Sequence, residues 1–203
     1  MATFHLQVEA LTSIDIDDSS TPTQDEISQF LVDGTKDVAN KIIMINPEEL
    51  SKFCSTTHDA NNSGITVKGK VLSVVREHDS TSVLRPCMQI SPNLRYEASN
   101  VDSLHYRSKY NPGFYILDGK IHTVPISATS DNDSVVTQVT YAVNTGHASS
   151  SIDNFPDEYE YLVVLYAAIK AIEALIASYT VDEEDIELVR SYANSLATLK
   201  QQC

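Results

Sequence analysis

The apolar residues at the two ends of the chain recur at helical spacing. Between residues 24 and 44, one helical face collects Ile27, Phe30, Leu31, Val38 and Ile42. Thr23 and Glu26 have the spacing of a capping box, which pairs backbone amides at a helix start. We therefore predict a helix over about 24–44, then a short helix capped by Asn46 with Pro47 in its first turn. Residues 1–22 are interpreted as an acidic, irregular lead-in, and 56–64 as a polar loop.

The middle of the chain alternates apolar and polar residues and is rich in β-branched side chains, which predicts strands. The strand-like segments are 65–77, 82–90, 113–126 and 135–143. Pro86 restricts its segment to a sheet edge or a bulge because proline has no amide hydrogen to donate. Asp118-Gly119 separates two alternating runs and predicts a hairpin with a type I′ turn. Residues 91–112 predict short helical turns and loops.

The chain then returns to helical spacing. The stretch FPDEYEYLVVLYAAIKAIEALIASY, residues 155–179, predicts a helix of about 24 residues with Asp153 or Asn154 as cap and Pro156 in the first turn. A last helix over about 182–201 follows the capping-box spacing of Thr180 and Glu183. Its apolar stripe consists of Ile186, Val189, Tyr192, Leu196 and Leu199. The order of elements predicts an α+β fold, in which residues 1–54 and 150–203 form a helical bundle and 64–146 an inserted antiparallel β-rich block.

The helix at 155–179 has more apolar surface than a small bundle needs. Leu162, Leu165, Tyr166, Ile169, Ile172 and Ile176 form one broad face, and Ala167, Ala171 and Ala174 would let another helix approach closely. Only the helices at 24–44 and 182–201 are long enough to cover it, so the remaining apolar surface predicts contact with another subunit. The predicted interface or packing anchors are Tyr159, Leu162, Tyr166, Ile169 and Ile172. A central helix in a monomeric bundle is the alternative.

The chain is strongly acidic, with 28 Asp and Glu against 14 Lys and Arg and a formal net charge of −14. This argues against gripping nucleic acid, because duplex binding depends on cations that neutralise phosphates. It remains compatible with a wall past which DNA slides, since acidic surfaces repel phosphate. Tyr96, Tyr106, Tyr110 and Tyr115 lie near Arg95, Arg107 and Lys109, but the negative surroundings favour packing over base stacking.

The sequence offers no signature of catalysis, cofactor binding or metal binding. GITVKGKV approaches a phosphate-binding loop, but Val71 replaces the required Ser or Thr and its surroundings are strand-like. Six scattered His and three Cys predict neither a zinc site nor a disulfide framework. The N-terminus lacks the pattern of a signal peptide, and the longest uncharged run of the late helix, residues 161–169, is far short of the ~18 residues of a membrane span. We therefore expect a non-enzymatic protein of a reducing cytoplasm, or of a particle assembled there, without a membrane segment.

Several segments resemble structural proteins of tailed bacteriophages. SPNLRYEASNVDSLHYRSKYNPGFYILDGKIHTVPIS, followed by SSSIDNFPDEYEYLVVLYAAIKAIEAL, resembles neck or head-to-tail connector proteins of the adaptor (tail tubular protein A-like) type. TPTQDEISQFLVDGTKDVANKI is similar to the first helix of that group. The resemblance implies a homo-oligomer, commonly a dodecameric ring, that joins the portal protein to the next tail or nozzle component. DNA would pass through its lumen without specific binding, in a virion neck assembled in the cytoplasm of the bacterial host.

Two other functions stay open at this point. One is a different neck or tail-completion protein, such as a hexameric plug or a tail terminator. The other is a cytosolic enzyme or ligand-binding protein that uses the β block, which would need a concave site with converging polar groups.

Overall fold

The computed structural model describes residues 2–59, 63–77, 83–125, 134–141, 146–182 and 186–201. The chain divides into two compact units. The helical unit consists of Met1–Phe53 and Tyr141–Cys203, and the β unit of Cys54–Thr140. The predicted α+β class is confirmed, with N- and C-terminal helices and an antiparallel-rich β block between them.

The helical unit combines segments from both ends of the chain. Its helices are α1 (Phe4–Thr12), α2 (Gln24–Ile45), α4 (Asp157–Asp182) and α5 (Ile186–Lys200), and a 3₁₀ helix spans Pro47–Phe53. The helix α4 contacts α1, α2 and α5. The predicted first long helix is therefore α2, and its capping box is present: Glu26 N–H donates to Thr23 Oγ1 at 3.3 Å and Thr23 N–H to Glu26 Oε2 at 2.8 Å.

The expectation of an irregular lead-in over 1–22 is wrong for residues 4–12, which form α1, whereas residues 13–22 contain neither helix nor strand. Phe4, Val8 and Thr12 follow one another at intervals of four residues and are buried. The amides of Phe4 and His5 donate to the carbonyls of Ser149 and His147 at 2.8 and 3.0 Å. A nine-residue helix is marginal in isolation, so packing on α4 and these bonds to a distant segment stabilise it.

The predicted start of the last helix is also wrong. Thr180 lies inside α4, which continues to Asp182, so it is not the non-helical residue that a capping box requires. Glu183 lies outside the described residues. In α5, Leu199 is buried and Val189, Tyr192 and Leu196 are half-buried, which is the stripe that the spacing predicted over the described side chains.

The described residues of the β unit form two four-stranded sheets. In chain order its strands are β1 (Cys54–Asp59), β2 (Ile65–Thr66), β3 (Val71–Glu77), β4 (Leu84–Pro86), β5 (Met88–Gln89), β6 (Gly113–Leu117), β7 (Lys120–Val124) and β8 (Ser134–Val139), with the short helix α3 (Arg95–Ser99) after β5. The sheet orders are β1-β8-β3-β4 and β2-β7-β6-β5. All pairs are antiparallel except β5 and β6, which are parallel.

Several strand predictions are confirmed. Asp118 and Gly119 both have positive φ, 51° and 70°, as the type I′ turn between β6 and β7 requires. Pro86 ends the edge strand β4, and the chain then passes into the other sheet at Met88. The predicted loop over 56–64 is wrong in its first half, because Cys54–Asp59 pairs along its whole length with β8. Backbone pairing along an edge strand leaves one face in water and so tolerates polar side chains.

The core between the sheets combines residues of both. Val74 and Val136 of one sheet pack with Ile65 and Ile121 of the other. Gln138 is fully buried, and its amide is satisfied because Nε2 donates to Thr66 O at 2.8 Å and Oε1 accepts from Lys68 N at 2.9 Å. Gln138 thus joins β8 to the chain on either side of Val67 without an unpaired buried group.

We expect Phe4→Ala to lower the free energy of unfolding by about 3–5 kcal/mol, because it removes a side chain that is 1% exposed. Leu6→Ala is the matched control on the same helix, since Leu6 is 49% exposed and its loss should change stability by about 0.5 kcal/mol or less. Urea unfolding followed by circular dichroism measures both. Equal effects of the two substitutions would show that α1 does not pack as described.

A second prediction concerns the attachment of α5 to α4. Glu173 accepts from Lys170 Nζ at 2.8 Å and from Lys200 Nζ at 2.9 Å, and these hydrogen bonds lower the pKa of its carboxyl. Its contribution is therefore present above the unfolded-state pKa and is lost as the pH falls through the lower folded-state pKa. Because the side chains are about one-third to one-half exposed, we expect Glu173→Gln to lower the free energy of unfolding at pH 7 by only about 0.5–1 kcal/mol.

The difference between Glu173→Gln and the original chain should shrink toward zero as the pH falls through the lowered folded-state pKa of Glu173. Asp33→Asn is the matched control, because Asp33 faces a single lysine, Lys36, at 3.6 Å on the exposed surface of α2. A pH-independent effect of Glu173→Gln in urea unfolding would contradict the ionic origin of this contact.

Candidate subunit interface

The helix α4 lies among three helices of its own unit. Nine apolar residues of α4 form a buried face: Val163, Val164, Leu165, Ala167, Ala168, Ile169, Ala171, Ile172 and Leu175. The expectation that only two helices cover α4 is wrong, because α1 also packs against it. Most of the apolar surface that predicted a subunit contact is therefore covered within the helical unit.

The five predicted anchors lie in different environments. Ile172 is fully buried and Ile169 is 8% exposed, so both pack in the core of the helical unit. Tyr159, Leu162 and Tyr166 are half-buried. These three remain accessible to a partner, whereas Ile169 and Ile172 are reached only by unfolding the helix packing.

Tyr159 belongs to an aromatic cluster at the start of α4. Its ring stacks on Phe53 with centroids 6.1 Å apart, and Phe53 meets Phe155 edge-on at 5.4 Å. Lys52 Nζ lies 5.9 Å from the Tyr159 ring and donates to Glu158 Oε1 at 2.8 Å. That hydrogen bond is the main cause that raises the pKa of Lys52, and desolvation raises the pKa of Tyr159. The cluster fixes the 3₁₀ helix against α4.

Tyr166 lies beside Gly34 of α2. A Cβ added to Gly34 would meet Tyr166 Cδ1 at 3.0 Å, Val163 Cγ1 at 3.2 Å and the Val163 carbonyl oxygen at 3.3 Å. Gly34 therefore permits the close approach of the two helices, and the ring of Tyr166 fills the space beside it. A charged substitution at Tyr166 would disturb this packing as well as any contact with a partner.

One stripe of α4 is covered least by its own chain. Leu162, Tyr166, Lys170, Glu173 and Ala177 recur at intervals of three and four residues, and none of them is buried. Tyr161, near the N-terminal end of α4, is 52% exposed. Sequence reasoning did not select Tyr161. Lys170 and Glu173 mark the least-covered side of the helix, and their spacing could have indicated that Leu162 and Tyr166 lie on that side.

Large apolar side chains are also exposed elsewhere in each unit. In the helical unit these are Leu6, Met44, Ile45 and Tyr161, and in the β unit they include Met88, Tyr96, Val101, Leu104 and Tyr110. Leu104 is fully exposed. Single exposed apolar residues are ordinary, but several within residues 88–110 are typical of a surface that contacts another protein.

The tyrosines of the central segment separate into two groups. Tyr115 is buried and stacks on His122 at 5.3 Å, whereas Tyr96 and Tyr110 are exposed. Arg95 lies 4.4 Å from the ring of Tyr96, and Arg85 and Lys109 lie 5.3 and 5.5 Å from the ring of Tyr110. We call Arg85, Arg95, Arg107, Lys109, Tyr96 and Tyr110 the basic–tyrosine face.

Backbone and side-chain contacts bring the parts of this face together. Arg107 N–H donates to Ala98 O at 2.9 Å, and Arg107 Nη1 donates to Met88 Sδ at 3.8 Å. Met88 N–H in turn donates to Pro112 O at 3.0 Å. The segments around residues 85–88, 95–98 and 107–112 therefore form one surface of the β unit.

The charge of the chain is divided unequally between the two units. The helical unit has 20 Asp and Glu against 6 Lys and Arg, whereas the β unit has 8 of each. The whole formal charge of −14 is thus that of the helical unit, and the β unit is neutral. Like charge therefore opposes contacts between the helical units of separate copies, whereas no net charge opposes contacts of the β unit.

The described residues contain no group of three or more His, Cys, Asp or Glu placed to hold a metal ion. In GITVKGKV, Ile65–Thr66 form β2 and residues 67–70 connect it to β3, which begins at Val71. A strand therefore follows Lys70, as predicted, and not the helix that a phosphate-binding loop requires. A cavity of about 310 Å³ in the β unit is lined mainly by apolar residues, among them Val71, Val74, Cys87 and Phe114. Burial raises the pKa of the Cys87 thiol to about 12, so the thiol is protonated and unreactive at neutral pH.

Among the described residues, α4 is long and apolar enough to span a membrane by length and composition alone. Half of that stretch is buried inside the structure, and a core helix of a soluble protein meets the same criteria. The length of the uncharged run, residues 161–169, underestimated the apolar length of α4. The run stops at Lys170, whereas the helix remains mostly apolar beyond Lys170 and Glu173.

No protein-family model matches the chain, and no curated protein matches it.

We expect Ile172→Ala to lower the free energy of unfolding by about 2–5 kcal/mol, because it opens a cavity where the side chain is fully buried in the helical unit. Tyr161→Ala should change it by about 0.5 kcal/mol or less, since the side chain is half exposed. Thermal and urea unfolding of the two variants measures the contrast. A loss of stability in Tyr161→Ala as large as that in Ile172→Ala would contradict the described orientation of α4.

Proposed function

We propose that this chain is a structural subunit of a bacteriophage neck, an adaptor that forms a ring between the portal protein and the next tail or nozzle component. DNA passes through the lumen of the ring without specific binding. The subunit acts by geometry, so the role requires no catalytic residue, cofactor or metal ion. It is assembled in the cytoplasm of the bacterial host and stays in the virion neck.

The observation that carries the proposal is the separation of charge between the two units. A unit with 20 acidic and 6 basic residues repels phosphate, as a channel wall must if DNA is not to adhere to it. The neutral β unit has exposed tyrosines and apolar residues, which suit contact with other proteins. The least-covered stripe of α4 and the exposed side chain of Tyr161 offer the helical unit a second contact region.

The packing of α4 limits how such a ring would form. Because Ile169 and Ile172 are buried in the subunit, neighbouring subunits would meet through the surface of a folded helical unit and not by exchanging α4. Tyr159, Leu162 and Tyr166 are the predicted anchors that such a contact could still use. The proposal therefore describes folded subunits that associate.

Electron microscopy of the negatively stained full-length chain tests the proposal, with the chain alone and mixed with the portal ring of the phage that encodes it. We expect annular particles of twelve-fold symmetry in at least the mixture, with a central opening. Six-fold particles would instead favour a plug or a tail terminator. Single subunits in both preparations, confirmed by sedimentation, would contradict a ring-forming role.

A further inference from the structure

The basic–tyrosine face is a cationic surface on a strongly acidic chain. Residues 84–112 contain four Lys and Arg against two Asp and Glu. In the described part of the chain, no carboxylate lies within ion-pair distance of Arg85, Arg95 or Arg107. Their guanidinium groups contact aromatic rings, the hydroxyl of Tyr96, the carbonyl oxygen of Pro92 and the sulfur of Met88. Their guanidinium groups therefore keep donors for an external anionic partner.

The aromatic residues of this face suit a protein partner. Tyr96 is 73% exposed and Tyr110 is 62% exposed, and each ring is flanked by a cation. Tyr and Arg are the residues that most often dominate binding energy at protein interfaces. These residues lie on short segments that the Arg107–Ala98 and Met88–Pro112 backbone hydrogen bonds link. The face is therefore preorganised before a partner binds.

A matching surface lies at the start of the helical unit. Asp15, Asp17, Asp18, Asp25 and Glu26 are all exposed, and the first Lys or Arg of the chain is Lys36. We call these five residues the acidic strip. Ile14 and Ile16, on either side of Asp15, are buried, and Asp17 Oδ1 accepts a hydrogen bond from Ser19 N–H at 2.7 Å. These contacts hold the backbone of the strip in place.

We infer that the basic–tyrosine face of one copy docks on the acidic strip of a second copy of this chain. The inference rests on the proposed function, since a ring needs a contact that repeats from each subunit to the next. A face on one unit and a strip on the other form a head-to-tail contact, the kind that closes into rings. Charge complementarity selects this occupant, because the helical unit carries the whole net charge of −14.

Zero-length carbodiimide cross-linking of the full-length chain tests the contact, with isotopically heavy and light chains mixed in equal amounts. The reagent joins a lysine amine to a carboxylate that touches it, and Lys109 is the lysine of the face. Because Lys36 is the first tryptic site, one peptide contains the whole acidic strip. We expect cross-links between Lys109 and that peptide in heavy–light pairs. Cross-links found only in heavy–heavy and light–light pairs would show that the contact lies within a single chain and would overturn the inference.

Charge reversal tests the same contact without cross-linking. Arg95→Glu with Lys109→Glu should weaken self-association, measured by sedimentation, by at least about tenfold, and Asp17→Lys with Asp18→Lys should do the same. The four substitutions together should restore association to within a few-fold of the original chain. The positive and negative charges have then exchanged surfaces, so the two surfaces still attract each other. Lys70→Glu with Lys120→Glu is the matched control, since both lysines are exposed in the β unit and lie outside the face.

Different outcomes separate this inference from the proposed function. Rings that persist in Arg95→Glu with Lys109→Glu would overturn the docking surface and leave the adaptor role standing. A chain that remains monomeric, alone and with the portal, would remove both. Binding of a fluorescent single-stranded oligonucleotide that these two substitutions abolish, with self-association unchanged, would assign the face to nucleic acid and overturn the inference.

Discussion

The burial of α4 is the interaction on which the helical unit depends. Val163, Leu165 and Ile172 are fully buried, and burial of each large aliphatic side chain contributes about 1.5–3 kcal/mol. The helices around α4 come from residues 4–45 and 186–200, so the β unit is inserted between segments that must meet for either to be stable. The short helix α1 shows this most clearly, since its first amides bond to carbonyls of residues 147 and 149. Neither end of the chain can form its part of this unit alone.

The same dependence explains which elements the sequence predicts. The helix α2 and the β6–β7 hairpin are recognisable because their signals are local: a capping box at Thr23 and Glu26, and an Asp118-Gly119 turn with two positive φ angles. The helix α1 and the strand β1 have no such signals. Phe4 and Val8 form a face only against α4, and the polar residues of Cys54–Asp59 become a strand only because β8 pairs with them. Both elements are produced by tertiary contacts that periodicity does not contain.

The sequence predicts which residues make up the candidate site, but not which side of α4 each residue faces. A helix that is apolar on nearly all sides does not show which residues face its own unit, so Ile169 and Ile172 could not be separated from Leu162 and Tyr166 by spacing alone. Lys170 and Glu173 indicate the orientation of α4, because both lie on its least-covered stripe. The same holds for the central tyrosines: the alternation of β6 buries Tyr115, whereas Tyr96 and Tyr110 lie on α3 and on a loop and stay exposed.

Separation of charge between the units has a consequence for any assembly of this chain. Copies that each have a formal charge of −14 repel one another, and the repulsion grows with the number of copies brought together. A cationic surface on each copy is the simplest way to offset this, and arginine suits it better than lysine because its planar group is less strongly hydrated and stacks on aromatic rings. Three of the four cations of the basic–tyrosine face are arginines, and Arg85 and Arg95 lie over tyrosine rings. A cationic face on the neutral β unit therefore offsets part of the repulsion between copies that associate.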